Sequence, residues 1–219
     1  MGGARPCAKR QGMGDSNGLN GAGAHEPDEE DELSLEELAA PPQDVAELAA
    51  SCVRYVGSKY KVGLDFTEDT LSLVDQYAKD ARAEIAVRPE SAGLLAAAIG
   101  AYLGEVIRRR FGGYWQAEGD HEMWRVLLSR VYLSFNPIGM ALEALTGEDA
   151  EGWNAHFELD PGERELVDAR LAALPPVEEE EFFMPTTRME VVHVVYEAIR
   201  SHMQDQGNAD VRFGPEDYR

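Results

Sequence analysis

The chain has 219 residues, of which 44% are hydrophobic, enough for one packed domain. Its 41 acidic and 20 basic residues give a formal net charge of −21, which repels phosphate backbones and argues against nucleic acid as a direct partner. The most apolar stretch, residues 92–107, falls short of the about 18 residues that span a bilayer and contains Gly93, Gly100, Gly104 and Glu105, so no membrane partner is expected.

Residues 1–32 are rich in Gly, Asn and acids, bury too little apolar surface to offset the entropy of ordering, and are expected to be disordered. Arg5, Lys9 and Arg10 precede no apolar run, so no secretory signal is read and a cytoplasmic location is expected. Cys7 and Cys52 have the spacing of neither a disulfide framework nor a zinc site and read as free thiols. Between residues 26 and 47 lie ten acids and no Lys or Arg, and residues 178–181 add four consecutive Glu. Such runs either attract a basic partner or serve as solvated, self-repelling surface.

Residues 33–62 read as short helices preceding the body: Leu33, Leu35 and Leu38 form one turn before Pro41-Pro42. Val45, Leu48, Ala49, Cys52, Val53 and Val56 then mark a helical face that stops at Gly57. The body, residues 63–206, opens with Asp65 or Thr67 as a cap, Glu68 and Asp69 in the first turn, and Leu71, Val74, Asp75, Ala78 and Ala81 at helical spacing. Pro89-Glu90 opens a second helix with Leu95, Ile99, Tyr102, Leu103 and Val106 on its stripe; Ala97, Gly100, Ala101 and Gly104 permit close approach of a neighbour. Arg108, Arg109 and Arg110 suit its negative end, and Gly112-Gly113 ends it.

Beyond that stop, residues 114–117, 123–128 and 131–135 are aromatic and β-branched and read as short antiparallel strands, with Glu118-Gly119-Asp120 as a hairpin turn. Asn136-Pro137 is a cap followed by proline at the first helical position, and Asp160-Pro161 repeats the device. Thr187 and Glu190 have capping-box spacing before a last helix that ends at Gly207, and residues 207–219 read as a loose tail. The fold class expected is α+β, with four to six helices packed on a small antiparallel sheet.

Glu105 is the sole acid within the most apolar helix, where partial burial would suit it to proton transfer, but Arg109 four residues on is placed to pair with it. Glu118, Asp120, His121 and Glu122 hold metal-ligating atoms, yet consecutive positions on a tight turn seldom point at one centre, so no metal is expected. His193 and His202 fall on opposite faces of one helix, and His156 reads as a packed or surface histidine. Phosphate-binding GxxxxGK[ST], GxGxxG, GxSxG, HExxH and CxxC patterns are all missing, so no catalytic residue and no cofactor is assigned.

The run from Gly100-Ala101-Tyr102-Leu103-Gly104-Glu105 through Arg108-Arg109-Arg110 to Gly112-Gly113-Tyr114-Trp115 resembles a recurring pattern of bacterial domains of unknown function: Ala-Tyr-x-Gly-Glu, a basic helix end, then Gly-Gly-x-Trp and short strands. Residues 63–71 and the Phe135-Asn136-Pro137-Ile138-Gly139-Met140 segment are similar to the flanks of such domains, so the likeness spans residues 63–145. Some proteins of this pattern resemble small immunity or regulatory proteins, which implies action by binding and carries no catalytic residue. Two functions follow as expectations. One is protein–protein contact through acidic surface to a basic partner. The alternative is a small-ligand or enzymatic site near Tyr102, Glu105, Arg109 and Trp115.

Overall fold

Residues 39–218 are described by a computed structural model. The disordered arm expected over residues 1–32 and the turn of Leu33, Leu35 and Leu38 lie outside the described residues. Among the described residues the chain forms six α-helices and one four-stranded antiparallel sheet, the α+β class expected.

The first helix, α1 (Gln43–Tyr60), turns Val45, Ala49, Cys52 and Val56 inward. It lies along α3 (Ser91–Phe111) and joins the same hydrophobic core as the rest, so it belongs to the body rather than preceding it. It also runs past Gly57, where a stop was expected, and ends at Lys61 with φ of 61°. Glycine costs a helix interior about 1 kcal/mol. Contacts of the last turn offset that cost: Tyr60 donates to Asp80 Oδ2 at 2.9 Å, and Lys59 Nζ lies 2.7 Å from the same oxygen.

Asp80 belongs to α2 (Leu71–Val87), which follows a short 3-10 turn over Glu68–Thr70. Asp65 Oδ1 organises that start by accepting from Thr67 N and both threonine hydroxyls, Thr67 and Thr70. In α3 the buried residues run from Leu95 to Arg108 without a gap. By length and composition α3 is apolar enough to cross a membrane, but 78% of its apolar window is covered by the rest of the fold, which makes it the core helix.

The close approach anticipated on α3 is realised. A Cβ at Gly100 would stand 2.4 Å from Ile138 Cα, and one at Gly104 would stand 2.3 Å from Trp115 Cζ2. The first contact seats α4 (Pro137–Thr146) against α3, and the second lets the Trp115 ring lie on the helix backbone.

Strands β1 (Gly113–Gln116), β2 (Arg125–Leu128), β3 (Leu133–Phe135) and β4 (Glu158–Leu159) form a meander in sequence order. Trp115 pairs with Val126, Val126 with Phe135, and Leu133 with Leu159, so one face looks onto the core. The link between β1 and β2 is longer than the tight turn expected. It contains a 3-10 turn at His121–Met123, which takes Met123 out of the strand. The reason is Asn136. Its Oδ1 caps α4 by accepting from Ile138 N and Gly139 N, while its Nδ2 donates to His121 O and Glu122 O at 2.9 and 3.0 Å.

Asp160 accepts from Gly162 N and starts a 3-10 turn that leads into α5 (Arg164–Ala172). The last helix, α6 (Pro185–Asp205), begins before the expected capping box, so Thr187 lies inside it. Its cap comes from α2 instead: Asp75 Oδ1 accepts from Thr186 N at 3.0 Å. The segment after α6 is anchored, not loose. Phe213 N donates to Ser129 O, and the buried Tyr218 hydroxyl donates to Leu128 O or Val131 O and accepts from Leu133 N. Its ring stacks on Tyr132 with centroids 4.5 Å apart.

Candidate functional site

The four residues singled out from the sequence meet along one side of α3. Glu105, 1% exposed, receives Arg108 Nε at 2.7 Å and Trp115 Nε1 at 2.8 Å on Oε1, and Arg108 Nη2 at 3.0 Å on Oε2. Arg108, 4% exposed, spends its remaining terminal nitrogen on Ala39 O at 2.8 Å. The expected pair with Arg109 is present, but the bidentate partner is the residue three positions on, Arg108. A helix brings both i+3 and i+4 within reach of Glu105, and burial selects Arg108. Arg109 Nε stands 3.6 Å from Oε2, and its guanidinium lies 4.0 Å from the Phe66 ring centroid.

Phe66 links this cluster to Tyr102. It adopts φ of +64°, a conformation costly for a bulky residue, and stacks on Tyr102 at 4.8 Å. Phe66 N donates to the Tyr102 hydroxyl at 2.9 Å, and Thr70 Oγ1 lies 2.8 Å from the same oxygen. Burial pushes the Tyr102 phenol above its usual pKa despite the Thr70 and Phe66 contacts, which favour the ionised form. The result is a continuous chain, Trp115–Glu105–Arg109–Phe66–Tyr102, in which the polar groups satisfy one another.

Beside it lies a cavity of about 260 Å³ lined by Ala39, Pro41, Pro42, Arg108, Tyr114, Trp115 and neighbouring residues. Tyr102, Glu105 and Arg109 do not line it. No family model, no curated protein and no solved structure matches the chain.

A larger feature was not legible in the sequence. An open groove of about 880 Å³ runs between the exposed flank of α1 and the β1–β2 connection, where Gly119, His121 and Trp124 line it. His121 stands edge-on to Trp124 with centroids 4.6 Å apart, and Trp124 Nε1 donates to Gly119 O. The carboxylates around His121 do not converge on it: among the described residues no three His, Cys, Asp or Glu side chains are placed to hold a metal ion. His193 packs edge-on against Phe111, and His202 faces Glu163 at 3.9 Å, so the two serve separate contacts. His156 is exposed.

Proposed function

We propose that the protein is a bacterial cytoplasmic protein of the regulatory or immunity kind, which acts by binding a basic protein partner through acidic surface. The observation that carries this reading is the charge: −21 overall, with Asp44, Glu47, Glu178, Glu179 and Glu180 all exposed. Uncompensated carboxylates raise the encounter rate with a cationic surface and disfavour acidic competitors. The interior supports the same reading, since Glu105, the one acid sequence analysis offered for proton transfer, is engaged by Arg108 and Trp115.

Affinity capture with the full chain at low and at high salt tests the proposal. A basic protein retained at low salt, released at high salt and bound again after purification is the expected result. Recovery of no protein under either condition would overturn it. The cavity at Trp115 favours one competing reading, a small-ligand site. A thermal-shift screen with metabolites and metal ions separates the two, because a selective ligand raises the melting point by mass action. One that does so with native Trp115 and fails with Trp115→Ala would replace the protein-contact reading.

A further inference from the structure

We infer that the groove between α1 and the β1–β2 connection is the docking site, and that its occupant is a basic amphipathic helix of another protein; this rests on the reading just proposed. The groove has a mixed lining, with an apolar strip and acidic side chains. Ala46, Leu48 and Ala50 of α1 supply the apolar surface, with the nearly buried Trp124 beneath, and the exposed Met123, next in the chain to Trp124, is the adaptable side chain that recognition surfaces favour. Asp44 and Glu47 stand on the α1 side. On the other side Glu118, Asp120 and Glu122 are exposed in the connection that contributes Gly119 and His121.

Two carboxylates thus line the groove and three more are exposed in the connection beside it, whereas the one guanidinium in the lining, that of Arg54, is turned onto Ser51 Oγ at 2.7 Å. That balance selects a cationic occupant. It also disfavours the chain's own segment over residues 26–37, which carries acids and no Lys or Arg. The groove walls decide the occupant's conformation. Its lining is helix side chains and one loop, with no strand edge to pair an extended backbone. An incoming segment must satisfy its own backbone groups, as a helix does, and contribute an apolar stripe with Lys or Arg beside it.

The test uses the full chain and a defined probe: a fluorescent synthetic peptide of Leu, Ala and Lys, about 18 residues long so that it forms a helix, with Leu at i, i+3, i+4 and i+7. A second peptide of the same composition has the Leu residues scattered. Binding is followed by anisotropy at low salt. The patterned peptide is expected to bind about tenfold more tightly than the scattered one, and Ala46→Trp, at an exposed position that plugs the groove, is expected to remove that advantage. The Asp44→Asn/Glu47→Gln pair should weaken binding and flatten its salt dependence, whereas Glu165→Gln/Asp168→Asn on exposed α5 positions, an equal change of charge, should not. Equal binding of the two peptides, or equal loss from both charge pairs, would overturn the groove while leaving acidic recognition standing. Failure of both peptides to bind at low salt would sink both.

Discussion

Glu105 sits in the middle of an apolar helix at 1% exposure, where an unpaired carboxylate would cost several kcal/mol. Arg108 and the Trp115 indole remove that cost by meeting both oxygens. The cluster is structural: it ties α3 to β1 and, through Ala39 O, to the chain entering α1. Glu105→Gln keeps the shape and one acceptor but leaves the Arg108 guanidinium buried with its charge uncompensated. We expect it to destabilise the fold by about 3 kcal/mol, read from the urea midpoint at unchanged slope. Glu105→Met/Arg108→Met, which removes both charges, should recover part of that loss; a double variant no more stable than the single one would contradict the assignment. Sequence spacing located Glu105 on the edge of the stripe and named Arg109 as its partner, but it did not show that Arg108 takes the closer, bidentate place. That outcome depends on Phe66, 43 positions before Arg109 in the chain, whose ring captures the Arg109 guanidinium.

At the scale of elements, what was legible is what is local. The Asn136-Pro137 start of α4, the small-residue face of α3 and the Gly112-Gly113 stop depend on neighbours within a turn or two, and all stand where expected. β4 was invisible because two residues, Glu158 and Leu159, show no alternation. The groove was equally hidden, since α1 and the β1–β2 connection are brought together only by the tertiary fold. The start of α6 was misplaced because its cap, Asp75, comes from 111 residues away. That cap carries a pH signature. Burial raises the Asp75 pKa above 3.8, against the opposing effect of the Thr186 hydrogen bond. A folded-state pKa above the unfolded one means that the folded protein holds the proton more tightly. The favourable contribution is therefore present below pH 3.8 and is lost as pH rises through the folded-state value. Asp75→Asn keeps an acceptor for Thr186 N without the charge, so it should stabilise the protein at pH 7 and lose that advantage toward pH 3.5. Urea midpoints across that range check the sign; a variant less stable than the native chain at pH 7 would show that Asp75 acts chiefly as a charged cap.

For the whole molecule, the core is continuous from Val45 to Met203, and the C-terminal Tyr218 closes the β2–β3 turn, so helices and sheet stand as one body. What strains that body is charge. The net −21 acts over distances set by salt, about 30 Å at 0.01 M ionic strength and about 8 Å at 0.15 M. Two effects oppose each other as salt is added. Exposed pairs such as Lys59–Asp80, Lys79–Glu181 and Arg110–Glu68 weaken, but each contributes only about 0–1 kcal/mol. Repulsion among the excess carboxylates weakens as well, and it acts among all of them at once rather than pair by pair. We therefore expect sodium chloride to raise the melting temperature between 0.01 and 0.15 M, by about 2–4 °C if the net gain is about 1 kcal/mol for a chain of this size. Chloride is the salt to use, since sulfate would strengthen apolar burial and confuse the two causes. A melting temperature that falls over this range would mean that the exposed ion pairs outweigh the repulsion, and would remove the electrostatic strain that makes a cationic partner stabilising.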